Sequence, residues 1–118
     1  MPHHISFKYA WAGLKYAFTS QPNFRIHSLI AIVVLVFALL LHLPYLEWLI
    51  LLLTMALVLI AEMVNTALEA MTDLMQDQYH PQAKIAKDVA AGMVLLAAIA
   101  AVIVGLVIFI PYLSAISN

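Results

Sequence analysis

Apolar and polar positions separate into long blocks along this chain. Near-continuous apolar stretches run from about Ser28 to Leu43, from Tyr45 through an almost unbroken run between Trp48 and Ala61, and from about Val89 to Leu113. They do not alternate, so they are not strands of a barrel. Backbone in lipid must satisfy its own hydrogen bonds, which a helix does, and a spanning helix takes about 20 apolar residues. The pattern predicts spans at about 26–43, 45–75 and 87–113, the first borrowing the turn around Phe24 and stopping at Pro44. Ahead of them, Phe7, Ala10, Trp11, Leu14, Ala17 and Phe18 recur at helical spacing, with Lys8 and Lys15 off that stripe. This predicts an amphipathic surface helix over about 5–20, its aromatic face in the headgroup region. The first apolar stretch begins too far in for a cleaved signal peptide and lacks a small-x-small site before a mature domain. No internal repeat or long linker divides the chain. Residues 1–118 are expected to form one all-α integral membrane domain, a surface helix followed by three transmembrane helices.

Composition narrows the function. The chain is 66% apolar and 9% charged, with a mean hydropathy of +1.05; a soluble domain is about 45–50% apolar and about 25% charged. A soluble monomer and a disordered chain are both excluded. Five Lys and Arg against six Asp and Glu make no basic surface for nucleic acid. Without Cys there is no disulfide, thiolate zinc site or cysteine nucleophile. Gly13, Gly92 and Gly105 cannot form a glycine-rich phosphate loop. Lys8, Lys15 and Arg25 precede the first span, and Lys84 and Lys87 lie between the second and third, whereas the connection around Pro44 and the C-terminal tail carry no Lys or Arg. The positive-inside rule then places the N-terminus and the second loop in the cytoplasm and the C-terminus outside. All the acids but Glu47 fall on the cytoplasmic side.

The informative segment is AEMVNTALEAMTDLMQD, residues 61–77. On a helix with Glu62 at zero, Asn65 falls at about −60°, Glu69 at about −20°, Asp73 at about +20°, Thr66 at about +40° and Asp77 at about +60°. The polar set occupies one third of the circumference. Like charges on one face repel, so a metal ion, a lysine or both should accompany them. A helix that has left the membrane explains Asp73 and Asp77. Glu62 and Asn65, which follow an apolar run directly and precede another hydrophobic turn, are intramembrane polar groups and so functional candidates. A second constellation is HPQAKIAKD, residues 80–88. Pro81 can open a helix, and Lys84, Lys87 and Asp88 then share a face. Either this is a basic loop end that only sets topology, or Lys87 meets phosphate at the depth of the acids. Mg²⁺ takes one or two carboxylates plus substrate phosphates, so a carboxylate stripe facing a lysine pair points to a metal–nucleotide site.

These residues resemble the small prokaryotic lipid kinases, the membrane diacylglycerol kinase and undecaprenol kinase family. The E-x-x-N-T-A-x-E-A-x-x-D motif stands as Glu62, Asn65, Thr66, Ala67, Glu69, Ala70 and Asp73, and A-K-D as Ala86, Lys87 and Asp88. Y-x-W-x-G-L-K at Tyr9 to Lys15 and N-F-R-I-H at Asn23 to His27 also fit. The resemblance covers nearly the whole chain. It implies a homotrimer of three-span subunits in the bacterial cytoplasmic (inner) membrane, with active sites between neighbouring subunits that transfer the ATP γ-phosphate to a lipid hydroxyl. By position, Glu62 would be the general base and Glu69 a ligand of the Mg²⁺ that accompanies ATP. Lys87 would contact the phosphates, and Asn65, Asp73 and Asp88 would line the site. One departure concerns a second metal-binding Glu of the family, where this chain has Gln21, an amide oxygen without charge. The wording of the N-F-R-I-H and A-K-D segments is closer to the undecaprenol kinase branch. Two other classes compete: a small cation or proton pathway, disfavoured because the outer half of the second span is apolar, and a non-enzymatic assembly subunit, which leaves the co-facial acids and Lys87 unexplained.

Overall fold

The computed structural model describes residues 6–75 and 80–117. Every regular element among them is helical: α1 (Phe7–Ser20), α2 (Pro22–Leu40), α3 (Tyr45–Asp73) and α4 (Pro81–Ser117). α2, α3 and α4 are each long and apolar enough to cross a membrane. The 29 residues of α3 run about 43 Å and the 37 of α4 about 55 Å at about 1.5 Å per residue. Both exceed a hydrocarbon core of about 30 Å, so each has turns to spare; in α3 the polar turns are the C-terminal ones.

The helix ends differ from the spans read off hydropathy, for local reasons. α2 begins at Pro22, where the ring presets φ and the missing N–H is one that no helix start would use. Gln21, in an extended conformation, separates it from α1. Arg25 closes that corner by donating from Nη1 to the carbonyls of Phe18 and Thr19, at 2.8 and 3.0 Å. At its other end α2 stops at Leu40 rather than running to residue 43. His42 takes the left-handed conformation (φ 55°). Its N–H donates to the Leu39 carbonyl and the Leu43 N–H to the Ala38 carbonyl, both at 3.2 Å. This is a Schellman cap, with Leu43 folded back onto Ala38 in the core. α4 starts at Pro81, a full turn and more before the apolar run, and continues through Pro111, which withholds one N–H from the ladder without ending the helix.

α3 is the central helix. α4 and α2 pack against it from two sides, and α1 touches both α2 and α3, while α2 and α4 make no close backbone approach to each other. One apolar cluster joins Ala38, Leu43, Leu51 and Ile108 near the start of α3. A second joins Val58, Ala61 and Ala97 further along it. The alanines let backbones approach closely. Elsewhere large apolar side chains face outward, Leu53 at 72% and Val107 at 69% exposure, as lipid-facing helices require. α1 lies against the C-terminal half of α3: Ala17 is buried, and Gly13, Tyr16 and Ala17 face Met63, Thr66 and Ala70 across a shallow groove. Phe7, Trp11 and Phe18 of its stripe remain largely exposed, Trp11 and Phe18 flanking a shallow groove beside Phe24.

Candidate active site

The fold gathers α1, the N-terminal turns of α2 and α4, and the C-terminal half of α3 at one end of the bundle. Glu62 lies deepest, its side chain only 3% exposed. Its Oε1 is 2.8 Å from Nδ1 of His27 on α2. The oxygen sits off the direction of the ring N–H, so these two buried atoms touch without an aligned hydrogen bond, and neither has another partner among the described residues. Thr66, on the same stripe, turns inward and donates from Oγ1 to the Glu62 carbonyl at 2.9 Å; it is held by the helix itself.

One turn on, the half-buried Asn65 donates from Nδ2 to Glu69 Oε1 at 3.2 Å. A further turn on, Lys87 of α4 donates from Nζ to Asp73 Oδ1 at 2.8 Å, an exposed pair that bridges the two helices. From Glu62 to Asp73 the stripe climbs about 16 Å along α3, from a buried carboxylate to a solvated ion pair. Asp88 looks elsewhere: it accepts from Lys84 Nζ at 2.6 Å within α4, one turn away on the same helix. Asp77 lies outside the described residues. Gln21 sits at the α1–α2 corner, half-buried, with its backbone serving both helices and its side chain making no capping bond.

Among the described residues no three His, Asp or Glu side chains converge as a metal cage. The donor set nonetheless suits Mg²⁺. Glu69 keeps its second carboxylate oxygen and Asn65 its amide oxygen, and this ion completes its shell with phosphate oxygens and water.

An apolar groove of about 320 Å³ runs between α2, α3 and α4, lined by Val34, Met55, Val58, Ala101 and Gly105, and His27 stands at its polar end. Hydropathy and helical phase pick out the acids. They do not pick out His27 or Arg25, which act across helices; the sole signal for both is that they fall in the N-F-R-I-H segment.

The model of the family described as prokaryotic diacylglycerol kinase matches residues 8–109, a stretch that holds every side chain of this site. The chain belongs to that family. It is 56% identical over 108 residues to a protein named diacylglycerol kinase from Synechocystis sp., a match covering 91% of this chain and 62% of that one. It is 40% identical over 108 residues to the undecaprenol kinase of Bacillus subtilis, covering 92% and 88%. The diacylglycerol kinase of Escherichia coli is 34% identical over 95 residues, covering 80% and 78%. The chain therefore spans less than two thirds of the Synechocystis relative but most of the other two.

Proposed function

We propose that this protein transfers the γ-phosphoryl group of ATP to the hydroxyl of a membrane lipid alcohol, undecaprenol or diacylglycerol, at the cytoplasmic face of a bacterial inner membrane. The observation that carries the reading is the position of Glu62. It is a buried carboxylate that touches His27, which stands at the end of a hydrocarbon-lined groove, and it heads a ladder of Asn65, Glu69, Asp73 and Lys87. A lipid tail suits the groove and a nucleotide the ladder.

Glu62 takes the proton from the lipid hydroxyl as its oxygen bonds to the γ-phosphorus. The bond from that phosphorus to the β–γ bridging oxygen breaks and ADP leaves. Lys87 exchanges Asp73 for phosphate oxygens and neutralises charge as it develops, while Asn65, Asp73 and Asp88 line the nucleotide end. Phosphoryl transfer is mainly positioning and charge neutralisation, so it does not require a glycine-rich loop. Mg²⁺ bound with ATP at Glu69, with the Gln21 amide as a weaker candidate ligand, would supply further positive charge to the phosphates. Asp73 and Lys87 are exposed and Glu69 is half-buried in one subunit, which supports a homotrimer in which a neighbour covers them. The polar ladder stops at Glu62, and towards Trp48 the helix is apolar except for Thr54, whose hydroxyl is bonded to the Ile50 carbonyl, so the helix offers an ion no continuous path.

The test is a radiolabelled-ATP assay of purified protein over a panel of lipid alcohols. Label in undecaprenol phosphate or in phosphatidic acid is expected, and the preferred lipid identifies the acceptor. Label in neither, with Mg-ATP present, overturns the proposal.

A further inference from the structure

Glu62 needs something to hold it. A long acidic side chain that must meet a hydroxyl has to be fixed in one orientation, and a buried carboxylate oxygen without a donor is costly. The cationic groups nearest in the chain's charge plan are committed elsewhere: Arg25 to the end of α1, Lys87 to Asp73 and Lys84 to Asp88. Among the described residues the sole basic group within ion-pair distance of Glu62 is His27.

We infer that His27 is the positioning residue of the Glu62 carboxylate. Its Nδ1 holds Oε1, so that the other carboxylate oxygen is presented to the acceptor hydroxyl. The inference rests on the reading of Glu62 as the base. Three features of the pair support it. His27 and Glu62 come from different helices, so their meeting fixes α2 against α3 at the reacting depth. The Nδ1–Oε1 pair is close at 2.8 Å, and neither buried atom has another partner among the described residues. The imidazole also edges the apolar groove, so it touches the path along which a lipid hydroxyl reaches Glu62. The proton count closes on the carboxylate. The hydroxyl O–H bond breaks, a proton joins the free oxygen of Glu62, and Nδ1–H keeps its proton throughout as donor to Oε1.

The experiment compares wild-type protein with His27→Ala, His27→Asn and Glu62→Gln in steady-state kinase assays. The oligomeric state and helicity of each are checked first. His27→Ala is expected to lower kcat about 100-fold and leave KM for Mg-ATP unchanged. Free imidazole, admitted through the groove, should restore part of the loss. His27→Asn, whose amide can donate from the place of Nδ1, should retain most of kcat. Wild-type kcat in His27→Ala beside an inactive Glu62→Gln overturns the positioning role and leaves the kinase reading standing. Equal losses in the alanine and asparagine variants, with no rescue by imidazole, contradict a donor role as well. Inactive wild-type protein sinks the kinase reading itself. The contact is then judged from ring ¹⁵N spectra, with the His27 signals identified by their loss in His27→Asn. A shift of the Nδ1 resonance in Glu62→Gln supports the contact, and an unmoved resonance refutes it.

Discussion

α3 carries an acid near each end, and the two are housed differently. Glu47, in the first turn, is half-buried and accepts a 2.8 Å hydrogen bond from the Tyr112 hydroxyl of α4. The neighbouring cluster of Ala38, Leu43, Leu51 and Ile108 is apolar. Glu62 is more deeply buried, touches an imidazole without alignment, and heads a run of polar groups that reaches Lys87. Both acids are partnered across helices. A satisfied acid in apolar surroundings fastens one helix to another. An acid whose partner stands at the end of a groove, and which heads a charge ladder, is placed to react. The same residue type on the same helix therefore does structural work at one end and, in the proposed reaction, chemical work at the other.

Substitutions at the two ends should separate along that line. Glu62→Gln keeps the shape and removes the base, and kcat should fall about 10²- to 10⁴-fold while the protein retains its helicity and oligomeric state by circular dichroism and light scattering. Lys87→Ala should cost about 10²- to 10³-fold in kcat with a raised KM for Mg-ATP, the size expected for one lost charge-stabilising donor. Lys84→Ala is its control. Lys84 is paired with Asp88 on its own helix and exposed, a kind of pair that contributes little, so its kinetics should stay close to wild type. At the other end Tyr112→Phe leaves Glu47 without its donor. Thermal unfolding in detergent should begin a few degrees lower, with kcat unchanged. The smallest effect belongs to His42→Gly, which relieves a side chain held at positive φ and should raise thermal stability slightly. A large activity loss in Tyr112→Phe would break the division between the ends.

The sequence made the three apolar helices legible because lipid leaves a crossing backbone little choice but continuous apolar helix. Their ends were less legible. The stop of α2 depends on His42 adopting a left-handed conformation, which hydropathy does not register, and its start depends on Pro22, four residues before the expected boundary at 26. The stripe from Glu62 to Asp73 followed from helical phase alone, and the meeting of Lys87 with Asp73 follows from an antiparallel helix pair whose polar ends lie at one depth. What could not be read was lateral. That His27 would face Glu62 and that Gln21 would sit at a helix corner are matters of how α1 and α2 settle around α3, whereas the Lys84–Asp88 pair within α4 follows from their i,i+4 spacing. Periodicity within one helix says nothing about its neighbours.

The central claim is that Glu62 reacts and Glu47 holds. It is tested most directly by following label from the γ-phosphate of ATP into a lipid alcohol with wild-type, Glu47→Gln and Glu62→Gln proteins side by side. Comparable labelling by wild type and Glu47→Gln, with labelling by Glu62→Gln slowed about 100-fold or more, is the predicted result. Labelling by Glu62→Gln at the wild-type rate, or an equal loss in both variants, would contradict it.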